Sequence, residues 1–312
     1  MTKTADRETV SVVITCFNQA RYIAEAIESA LAQTHAALEI IIIDDGSIDE
    51  TGAVVSLYPT VRYIRQNNQG VVRARNKGLR ESKGQYVVLL DGDDRLVATA
   101  LETQLNCFRQ CPDCGFVAGT ARFIGEDGSR LDWKIAPVVE KDYYLALLQD
   151  NFIVMPAMVL YQRDLLEKLA PDGFSTAANH SSDYELYLRI ARQARVHCHN
   201  ETVAEYRVHH SNTSSNAPLM LKGTMQVYRS QWKHVKGCHE YERAYTQGSL
   251  KWQERNGQEV AAWIGLQLTR GGWKAQKRVL YGLWTLLLYS PSVLRKRIWR
   301  KLKNTFTASP TS

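Results

Sequence analysis

The sequence predicts an α/β protein with a doubly wound, mostly parallel β-sheet and a helical C-terminal extension. In the N-terminal third, short apolar runs rich in β-branched side chains alternate with segments of helical periodicity. Such alternation implies right-handed crossovers between parallel strands. Beyond a polar break before residue 217, the chain shows mainly helical spacing. We therefore expect a sheet-bearing domain over 1–216 and a basic, mainly helical segment over 217–312.

The strands of the N-terminal half are predicted from runs that are apolar almost throughout, as in strands buried on both faces. The clearest runs are VSVVITC and LEIIII, and the helices between strands show apolar residues three and four apart. In chain order, the predicted elements are strands at 10–16, 38–43, 61–65 and 85–90, helices at 20–33 and 70–82, a hairpin within 115–137, helices at 142–149, 163–170 and 182–195, and strands within 196–208.

Polar clusters follow three of the predicted strands at their carboxyl ends. They are the segment 15–18 with sequence TCFN, the pair Asp44-Asp45, and the segment 91–94 with sequence DGDD. In an open parallel sheet, ligands bind beyond the carboxyl ends of the strands. We therefore expect the three clusters to converge on one binding site.

The segment 91–94 places three carboxylates at the end of a buried strand. Asp91, Asp93 and Asp94 would repel one another unless a cation or a hydrogen-bond donor lay between them. A Mg²⁺ or Mn²⁺ ion bridging a carboxylate to a diphosphate would relieve that repulsion and neutralise charge on a leaving group. A solvated acidic turn is the structural alternative.

Two further residues have the chemistry of a nucleotide site. Asp45 could accept hydrogen bonds from a base or from ribose hydroxyls, although an aspartate after a strand is often a helix cap. Arg75 could make charge-assisted hydrogen bonds to a diphosphate, or it could lie on a solvated helix face.

Asp183 and His209 are the candidates in the second half of the sheet-bearing domain. Asp183 opens a predicted helix, where a carboxylate either caps the helix or serves as a general base for a hydroxyl within hydrogen-bond reach. His209 follows a strand-like segment and could ligate a metal, contact a phosphate or pack as an ordinary side chain.

The positive charge of the chain is concentrated in its C-terminal segment. The net charge is +7, but no acidic residue follows Glu259, whereas ten lysines and arginines do. Residues 279–289 are strongly apolar, although the run is too short to span a bilayer. Beyond it, apolar residues recur every four positions among basic ones, at Leu294, Ile298, Leu302 and Phe306. The pattern over 279–306 predicts a helix on an anionic membrane surface, or one docked on this chain or on a partner subunit.

The N-terminus lacks the apolar stretch of a secretory signal peptide. We therefore expect a cytoplasmic protein, peripheral on the inner face of the cell membrane if the C-terminal helix binds lipid. In that compartment the six cysteines are expected to be reduced thiols.

Four ordered blocks of the sequence resemble the family 2 glycosyltransferases, which have the GT-A fold. The blocks are VSVVITCFNQARYIAEAIESALAQTHAALEIIIIDDGSIDET, GVVRARNKGLRESKGQYVVLLDGDD, FIVMPAMVLYQRDLLEKLAPDGF followed by SSDYELYLRIA, and YRVHHSNTS. The resemblance extends over roughly residues 8–215. Four blocks in the right order are far more specific than a lone Asp-x-Asp motif.

The resemblance implies a role for each matching residue. It implies donor binding by Thr15, Phe17, Asn18, Asp45, Arg75, Asp91 and Asp93, metal binding by Asp93, Asp94 and His209, and a catalytic base at Asp183. The division of ribose and metal contacts among the three acids of 91–94 stays open. The implied cofactor is Mn²⁺ or Mg²⁺. The implied donor is a nucleotide-diphosphate sugar, with a UDP-sugar as the first expectation.

The implied reaction is a single displacement with inversion at the anomeric carbon. Asp183 would take the proton of an acceptor hydroxyl while the metal and Arg75 stabilise the departing nucleoside diphosphate. The implied acceptor is a glycan or a lipid-linked molecule in cell-surface polysaccharide or lipopolysaccharide biosynthesis. Two positions depart from the family pattern: Ser182 stands where the family often has Glu, and Phe17 stands where it often has Tyr.

Other functions fit the sequence less well. A dinucleotide-dependent oxidoreductase is expected to carry Gly-x-Gly-x-x-Gly after its first strand, and the chain contains no Gly-x-Gly. A sugar nucleotidyltransferase would have a Gly/Arg-rich loop where CFNQ stands. Nucleic-acid binding is disfavoured by the apolar content of the basic segment. A catalytically inactive scaffold of the same fold would be expected to have lost its acids, which are all present here.

Overall fold

The computed structural model describes residues 8–133, 142–210, 212–297 and 299. These residues form two compact units. The first takes the described residues within Met1–Leu147, Asn151–Thr176 and Ser182–His209, and the second takes those within Leu148–Asp150, Ala177–Ser181 and His210–Ser312. The main division therefore follows His209, a little before the boundary predicted at 216.

The first unit is built around a sheet that has nine strands in the described part of the chain. In chain order these are β1 (Val10–Cys16), β2 (Glu39–Asp44), β3 (Arg62–Arg65), β4 (Tyr86–Asp91), β5 (Arg95–Leu96), β6 (Phe116–Ile124), β7 (Arg130–Leu131), β8 (Val159–Gln162) and β9 (Val196–Arg207). Their order across the sheet is β3-β2-β1-β4-β8-β6-β9-β5, and β7 pairs with β6.

The helices alternate with these strands and then continue alone. They are α1 (Ile23–Leu31), α2 (Thr51–Val55), α3 (Val71–Glu81), α4 (Ala100–Gln110), α5 (Tyr143–Gln149), α6 (Arg163–Leu169), α7 (Ser182–Ala191), α8 (Ala217–Val235), α9 (His239–Arg270) and α10 (Gly272–Tyr289). Residues 291–297 are also helical. Among the described residues, no helix combines the length and the apolar character needed to cross a bilayer.

The parallel half of the sheet reverses its strand order between β1 and β4. Strands β2 and β3 lie in sequence on one side of β1, whereas β4 pairs with β1 on the other side. The register places Thr15 beside Asp91 and Cys16 beside Asp44. All seven residues of β1 are buried, because β1 is central and both of its faces are covered. The polar ends of three strands therefore meet at a topological switch point, where ligands bind in such sheets.

The other half of the sheet is mixed. Strand β8 runs antiparallel to β4 and β6, while β9 runs parallel to β6 and antiparallel to β5. Because β5 begins directly after Asp94 and pairs with Glu205 and Ala204, it brings the end of β9 back to the acidic segment 91–94. The predicted α/β fold class, with its helical C-terminal extension, is confirmed.

Most predicted elements are present with bounds shifted by a few residues. Strand β1 matches its prediction in full, and the predicted hairpin is formed by β6 and β7 within the described part of 115–137. Strands β5 and β8 and helix α4 were not predicted. The predicted amphipathic repeat at Ile298, Leu302 and Phe306 lies outside the residues whose side chains are described.

One expectation about the cysteines is wrong. Cys111 and Cys114 form a disulfide in the turn between α4 and β6, whereas reduced thiols were predicted throughout. The turn places their α-carbons 5.6 Å apart, within the range that a disulfide can bridge. The prediction rested on compartment alone and took no account of this local geometry.

Candidate active site

The acidic end of β4 is held by two donors from neighbouring elements. Thr15, at the end of β1, donates from Oγ1 to Asp91 Oδ1 at 3.1 Å. Arg75 of α3 donates from one terminal nitrogen to both oxygens of Asp91, at 2.9 and 2.8 Å. Because α3 packs against β1 and β2, it delivers Arg75 to the carboxyl end of the sheet.

Arg75 is a buried positive charge, with 7% of its surface exposed. Burial lowers the pKa of Arg75, but the carboxylates of Asp91 and Asp183 raise it, so the guanidinium remains charged. Its carbon lies 5.8 Å from the centre of the Phe174 ring, a cation–π distance. The site therefore contains a fixed cation next to two carboxylates.

Asp183 begins α7 and is half-buried. Its Oδ1 accepts a hydrogen bond from the backbone N–H of Tyr184 at 2.9 Å. Burial raises the pKa of Asp183, the Arg75 charge lowers it, and the Asp91 charge raises it again. Asp183, Arg75 and Asp91 thus form one electrostatic group. A carboxylate with a raised pKa is a better proton acceptor than an exposed one.

Asp93 and His209 meet at the other side of the acidic segment. His209 Nε2 lies 2.9 Å from Asp93 Oδ2, and the His209 ring stacks on Tyr22 with 4.9 Å between ring centres. His209 is 9% exposed, so both rings are fixed by packing. One carboxylate oxygen and one imidazole nitrogen are thereby brought within contact distance.

Asp94 hydrogen-bonds to the end of β9. It is 2% exposed, and its Oδ1 accepts the backbone N–H of Arg207 at 2.8 Å. Burial raises the pKa of Asp94 well above its ordinary value, and the neighbouring charges of Asp93 and Asp91 raise it further. The Asp94 side chain therefore fastens the end of β9 to the acidic segment.

Arg207 is a component of the site that the sequence did not reveal. Its side chain is fully buried and donates to the carbonyl of Asp93 at 2.9 Å and to Glu25 at 2.6 Å. Its guanidinium carbon lies 5.0 Å from the centre of the Tyr22 ring. Arg207 is the second residue of the block YRVHHSNTS, which carries the family resemblance at His209, and that block was the signal available.

The loops after β1 and β2 are joined by hydrogen bonds of Asn18, one of the predicted donor-binding residues. Asn18 accepts the backbone N–H of Ile48 at 2.9 Å, and its own N–H donates to Ser47 at 2.9 Å. Asn18 has a φ of 53°, in the left-handed region that asparagine tolerates. Phe17 precedes it with 45% of its surface exposed, which leaves a ring available for stacking.

Asp45 organises the loop that leads into α3. Its two carboxylate oxygens accept hydrogen bonds from Gln66 Nε2 at 2.7 Å and from the backbone N–H groups of Gln69 and Gly70 at 2.9 and 2.7 Å. Asp45 is 3% exposed. It fixes the start of the helix that carries Arg75.

Asn76 connects α3 to the loop that precedes Asp183. Its Nδ2 donates to the carbonyl of Phe174 at 2.9 Å, and its Oδ1 accepts the Phe174 N–H at 2.7 Å. Arg189 of α7 donates to the carbonyl of Gly173 at 2.6 Å. The loop around Gly173 therefore fixes α3, with Arg75, relative to α7.

Comparison with known protein families shows the class of enzyme to which this chain belongs. The family model described as Glycosyl transferase family 2 matches residues 11–170, which is just over half of the chain. This chain belongs to glycosyltransferase family 2. It is an enzyme of the glycosyltransferase class, as the resemblance implied.

Curated relatives support the same assignment. TuaG of Bacillus subtilis (strain 168), a glycosyltransferase assigned to teichuronic acid biosynthesis, is 31% identical over 70% of this chain and 87% of its own length. Chondroitin synthase of Escherichia coli is 31% identical over 66% of this chain, but only 30% of its own length is covered.

Solved structures show the fold of this glycosyltransferase to be GT-A. S. aureus TarS residues 1–349 in complex with UDP align with a TM-score of 0.58 at 15% identity, covering 91% of this chain and 81% of that one. Mannosyltransferase PcManGT from Pyrobaculum calidifontis, in complex with GDP-Man and Mn²⁺, aligns with a TM-score of 0.60 at 19% identity, covering 98% and 89%.

The glycosyltransferase site assembles six of the ten predicted residues in two groups. Thr15, Arg75, Asp91 and Asp183 form the first, and Asp93 and His209 form the second. Asp94 does not join Asp93 and His209 in a three-ligand cluster. In the described part of the chain, such a cluster is formed by Cys111, Asp113 and Cys114, whose sulfurs are bonded to each other.

Proposed function

We propose that this glycosyltransferase moves a sugar from a nucleotide-diphosphate donor to an acceptor hydroxyl, with inversion at the anomeric carbon and Asp183 as the base. The observation that carries the proposal is the electrostatic group of Arg75, Asp91 and Asp183 at the switch point of the sheet. A buried guanidinium beside a carboxylate whose pKa is raised by burial supplies both an anion-binding charge and a proton acceptor.

The protein's own residues have distinct parts in this reaction. Thr15 and Arg75 hold the Asp91 carboxylate in one orientation, and Arg75 offers its charge to a departing diphosphate. Phe17 offers an exposed ring to a nucleotide base. Asp183 accepts the proton of the acceptor hydroxyl as the new glycosidic bond forms and the bond to the diphosphate oxygen breaks. No covalent sugar–enzyme intermediate is required.

Asp93 and His209 are the residues that would hold a divalent cation. A carboxylate oxygen and an imidazole nitrogen 2.9 Å apart fit the ligand chemistry of Mn²⁺, and Mg²⁺ would favour the carboxylate. When bound, the ion would neutralise charge on the diphosphate. Asp94 fits this role less well, because its carboxylate is committed to the Arg207 backbone. We propose Asp93 and His209 as ligands and Asp94 as their support.

The donor and acceptor are proposed by chemical class. UDP, UDP-GlcNAc and GDP-Man are bound in solved structures of the same fold, and a UDP-sugar is the first candidate here. Relatives named for chondroitin and teichuronic acid synthesis support a glycan or lipid-linked acceptor and a role in making cell-surface polysaccharide. A lipid-linked acceptor would bring the enzyme to the cytoplasmic face of a membrane, the location predicted from the sequence.

The direct test incubates the purified protein with a panel of UDP-, GDP- and dTDP-sugars, Mn²⁺ and candidate glycan acceptors. Nucleoside diphosphate release and a glycoside of inverted anomeric configuration, read by NMR, are the expected results. A product that keeps the donor's anomeric configuration would contradict single displacement. Absence of turnover and of donor hydrolysis with every nucleotide would favour an inactive scaffold.

A further inference from the structure

The second unit presents an apolar helix face that is open to solvent. Helix α10 packs on α8 and α9, and the residues it buries there are Ala275, Gly282, Thr285 and Leu286. Its opposite face carries large apolar side chains, each of which is between 39% and 70% exposed. They are Trp273, Leu280, Leu283, Trp284, Leu287 and Leu288. An apolar surface of this extent marks an interaction site more often than a free surface.

These exposed side chains form a stripe along one face of the helix. Leu280, Trp284 and Leu287 follow one another at spacings of four and three, which places them on the same side of a helix with 3.6 residues per turn. Trp273 lies two turns earlier on the same side. We call Trp273, Leu280, Trp284 and Leu287 the α10 face. At about 1.5 Å per residue, it extends for roughly 20 Å.

Exposed basic residues flank the α10 face and no acidic residue does so in sequence. Lys274 and Lys277 are exposed in the first turns of α10, and the Lys277 ammonium lies 5.2 Å from the centre of the Trp273 ring. Arg278 is also exposed, but its guanidinium donates to Gln267 of α9 at 3.4 Å. Arg295 and Arg297 are exposed beyond the end of the helix. From residue 260 to the end the sequence contains no Asp or Glu.

This charge distribution indicates which partner covers the α10 face. In a symmetric dimer the same patch meets itself, so the basic residues of two copies would face each other without an acid from this segment to neutralise them. An anionic bilayer offers the complementary charge, and its interface accepts leucine and tryptophan side chains. Lysine and arginine stems can reach the headgroups from the same helix.

We propose that α10 lies in the interface of an anionic lipid bilayer, with the α10 face inserted and Lys274 and Lys277 at the headgroups. This assigns residues to the membrane part of the proposed function. The membrane proposal rests on the proposed location of the enzyme at a membrane surface, but it does not depend on the donor or on catalysis.

The test is co-sedimentation of the full-length protein with phosphatidylcholine vesicles that contain or lack phosphatidylglycerol. No donor or acceptor is present, so failure here would leave the transferase proposal intact. The wild type is expected to bind the anionic vesicles and to be released by salt. Leu280→Gln/Trp284→Gln/Leu287→Gln is expected to lower the partition coefficient at least about tenfold, because three inserted side chains are lost. The matched control is Leu250→Gln, a 60% exposed leucine of α9 outside the α10 face, which should bind like the wild type.

A second variant separates charge from insertion. Lys274→Gln/Lys277→Gln should lower binding to anionic vesicles about 25-fold, at about fivefold per charge. All the altered side chains are exposed, and circular dichroism verifies that each variant folds.

Fluorescence quenching measures how deeply the wild-type α10 inserts into the bilayer. Brominated lipids should quench the tryptophan fluorescence of the wild type more than that of Trp284→Phe. The proposal is overturned by equal quenching, by equal binding to neutral vesicles, or by vesicle binding that the Leu280/Trp284/Leu287 variant retains. A dimer that this variant dissolves, in a protein that does not bind vesicles, would identify a second copy as the occupant instead.

Discussion

Burial raises the pKa of Asp183, so the ionised side chain that the reaction needs lowers the stability of the folded protein. An acid whose folded pKa is raised is most favourable to folding at low pH, and that contribution is lost as the pH rises through the folded pKa. At neutral pH the buried carboxylate therefore opposes folding. We predict that Asp183→Asn lowers turnover by about 10²- to 10⁴-fold, the contribution of a general base. The variant should unfold at the same temperature as the wild type or higher.

Turnover and thermal unfolding measured on the same preparation test this prediction. Asp164→Asn is the matched control, because Asp164 is an exposed acid in the first turn of α6 and should leave the rate unchanged. If Asp183→Asn kept most of the activity, or lost it only through unfolding, Asp183 would not be the base.

The pH profile should reflect the two charges next to Asp183. The base must be ionised, so kcat should fall as the pH decreases through the pKa of Asp183, which burial places above the usual value of about 4. Arg75 lowers that pKa, and we predict that Arg75→Gln moves the acidic limb of the kcat profile to higher pH in addition to slowing the reaction. The measurement is kcat against pH at saturating donor. An acidic limb that stays in place would mean that Arg75 does not act on the base.

Residue type alone identified most of the candidate site but not the direction of each side chain. The acids of 91–94 were predicted because carboxylates at the end of a buried strand suggest ion chemistry. Asp183 was predicted because it opens a helix and because the family resemblance implies a base at that position. Asp94 shows the limit, since its carboxylate points to the Arg207 backbone, and the strand pairing that causes this is not local in sequence. Arg207 was missed because a charged residue is rarely fully buried, and its partner Glu25 lies far away in the chain.

At the scale of elements, the loop around Gly173 links helix α3, which carries Arg75, to helix α7, which carries Asp183. Gly173 has a φ of +65°, and a Cβ there would lie 2.3 Å from Asn76 Oδ1. We predict that Gly173→Ala costs about 1–3 kcal/mol from backbone strain and this contact. In Asn76→Ala the contact is absent, so the cost of the double variant should be smaller than the sum of the two single costs.

Urea unfolding of the three variants measures this coupling. Gly128→Ala is the control, because Gly128 has a φ of +83° but a Cβ there would meet nothing closer than 3.5 Å. It should show the strain without coupling to Asn76→Ala. Full additivity in the Gly173 pair would mean that Asn76 does not constrain the loop.

Elements were predicted well where the pattern is long and local. The run of β1 is apolar almost throughout, as expected of a strand buried on both faces, and it predicted both ends of the strand. Strand β5 has two residues and β8 has four, and both are defined by partners distant in sequence. Such short strands carry too little periodicity to be separated from loops.

At the scale of the whole molecule, the sequence predicted the parallel half of the sheet and the place where a ligand should bind. The structure has the strand order 3-2-1-4, which places the polar ends of β1, β2 and β4 together. The mixed half could not be derived in this way. Its strands β6, β8 and β9 combine parallel and antiparallel pairings that no local pattern specifies.

We propose that the carboxyl end of the sheet binds a nucleoside diphosphate together with a divalent cation. The most direct test is thermal unfolding with UDP, GDP, ADP and dTDP, each with and without Mn²⁺, for the wild type and Asp93→Ala. A nucleotide that binds only the folded protein should stabilise it by about 2.7 kcal/mol at 100 times Kd. We predict that one nucleotide raises the unfolding temperature, that Mn²⁺ increases the rise, and that Asp93→Ala abolishes it. If no nucleotide raised the unfolding temperature in the presence of Mn²⁺, the proposed nucleoside diphosphate site would be contradicted.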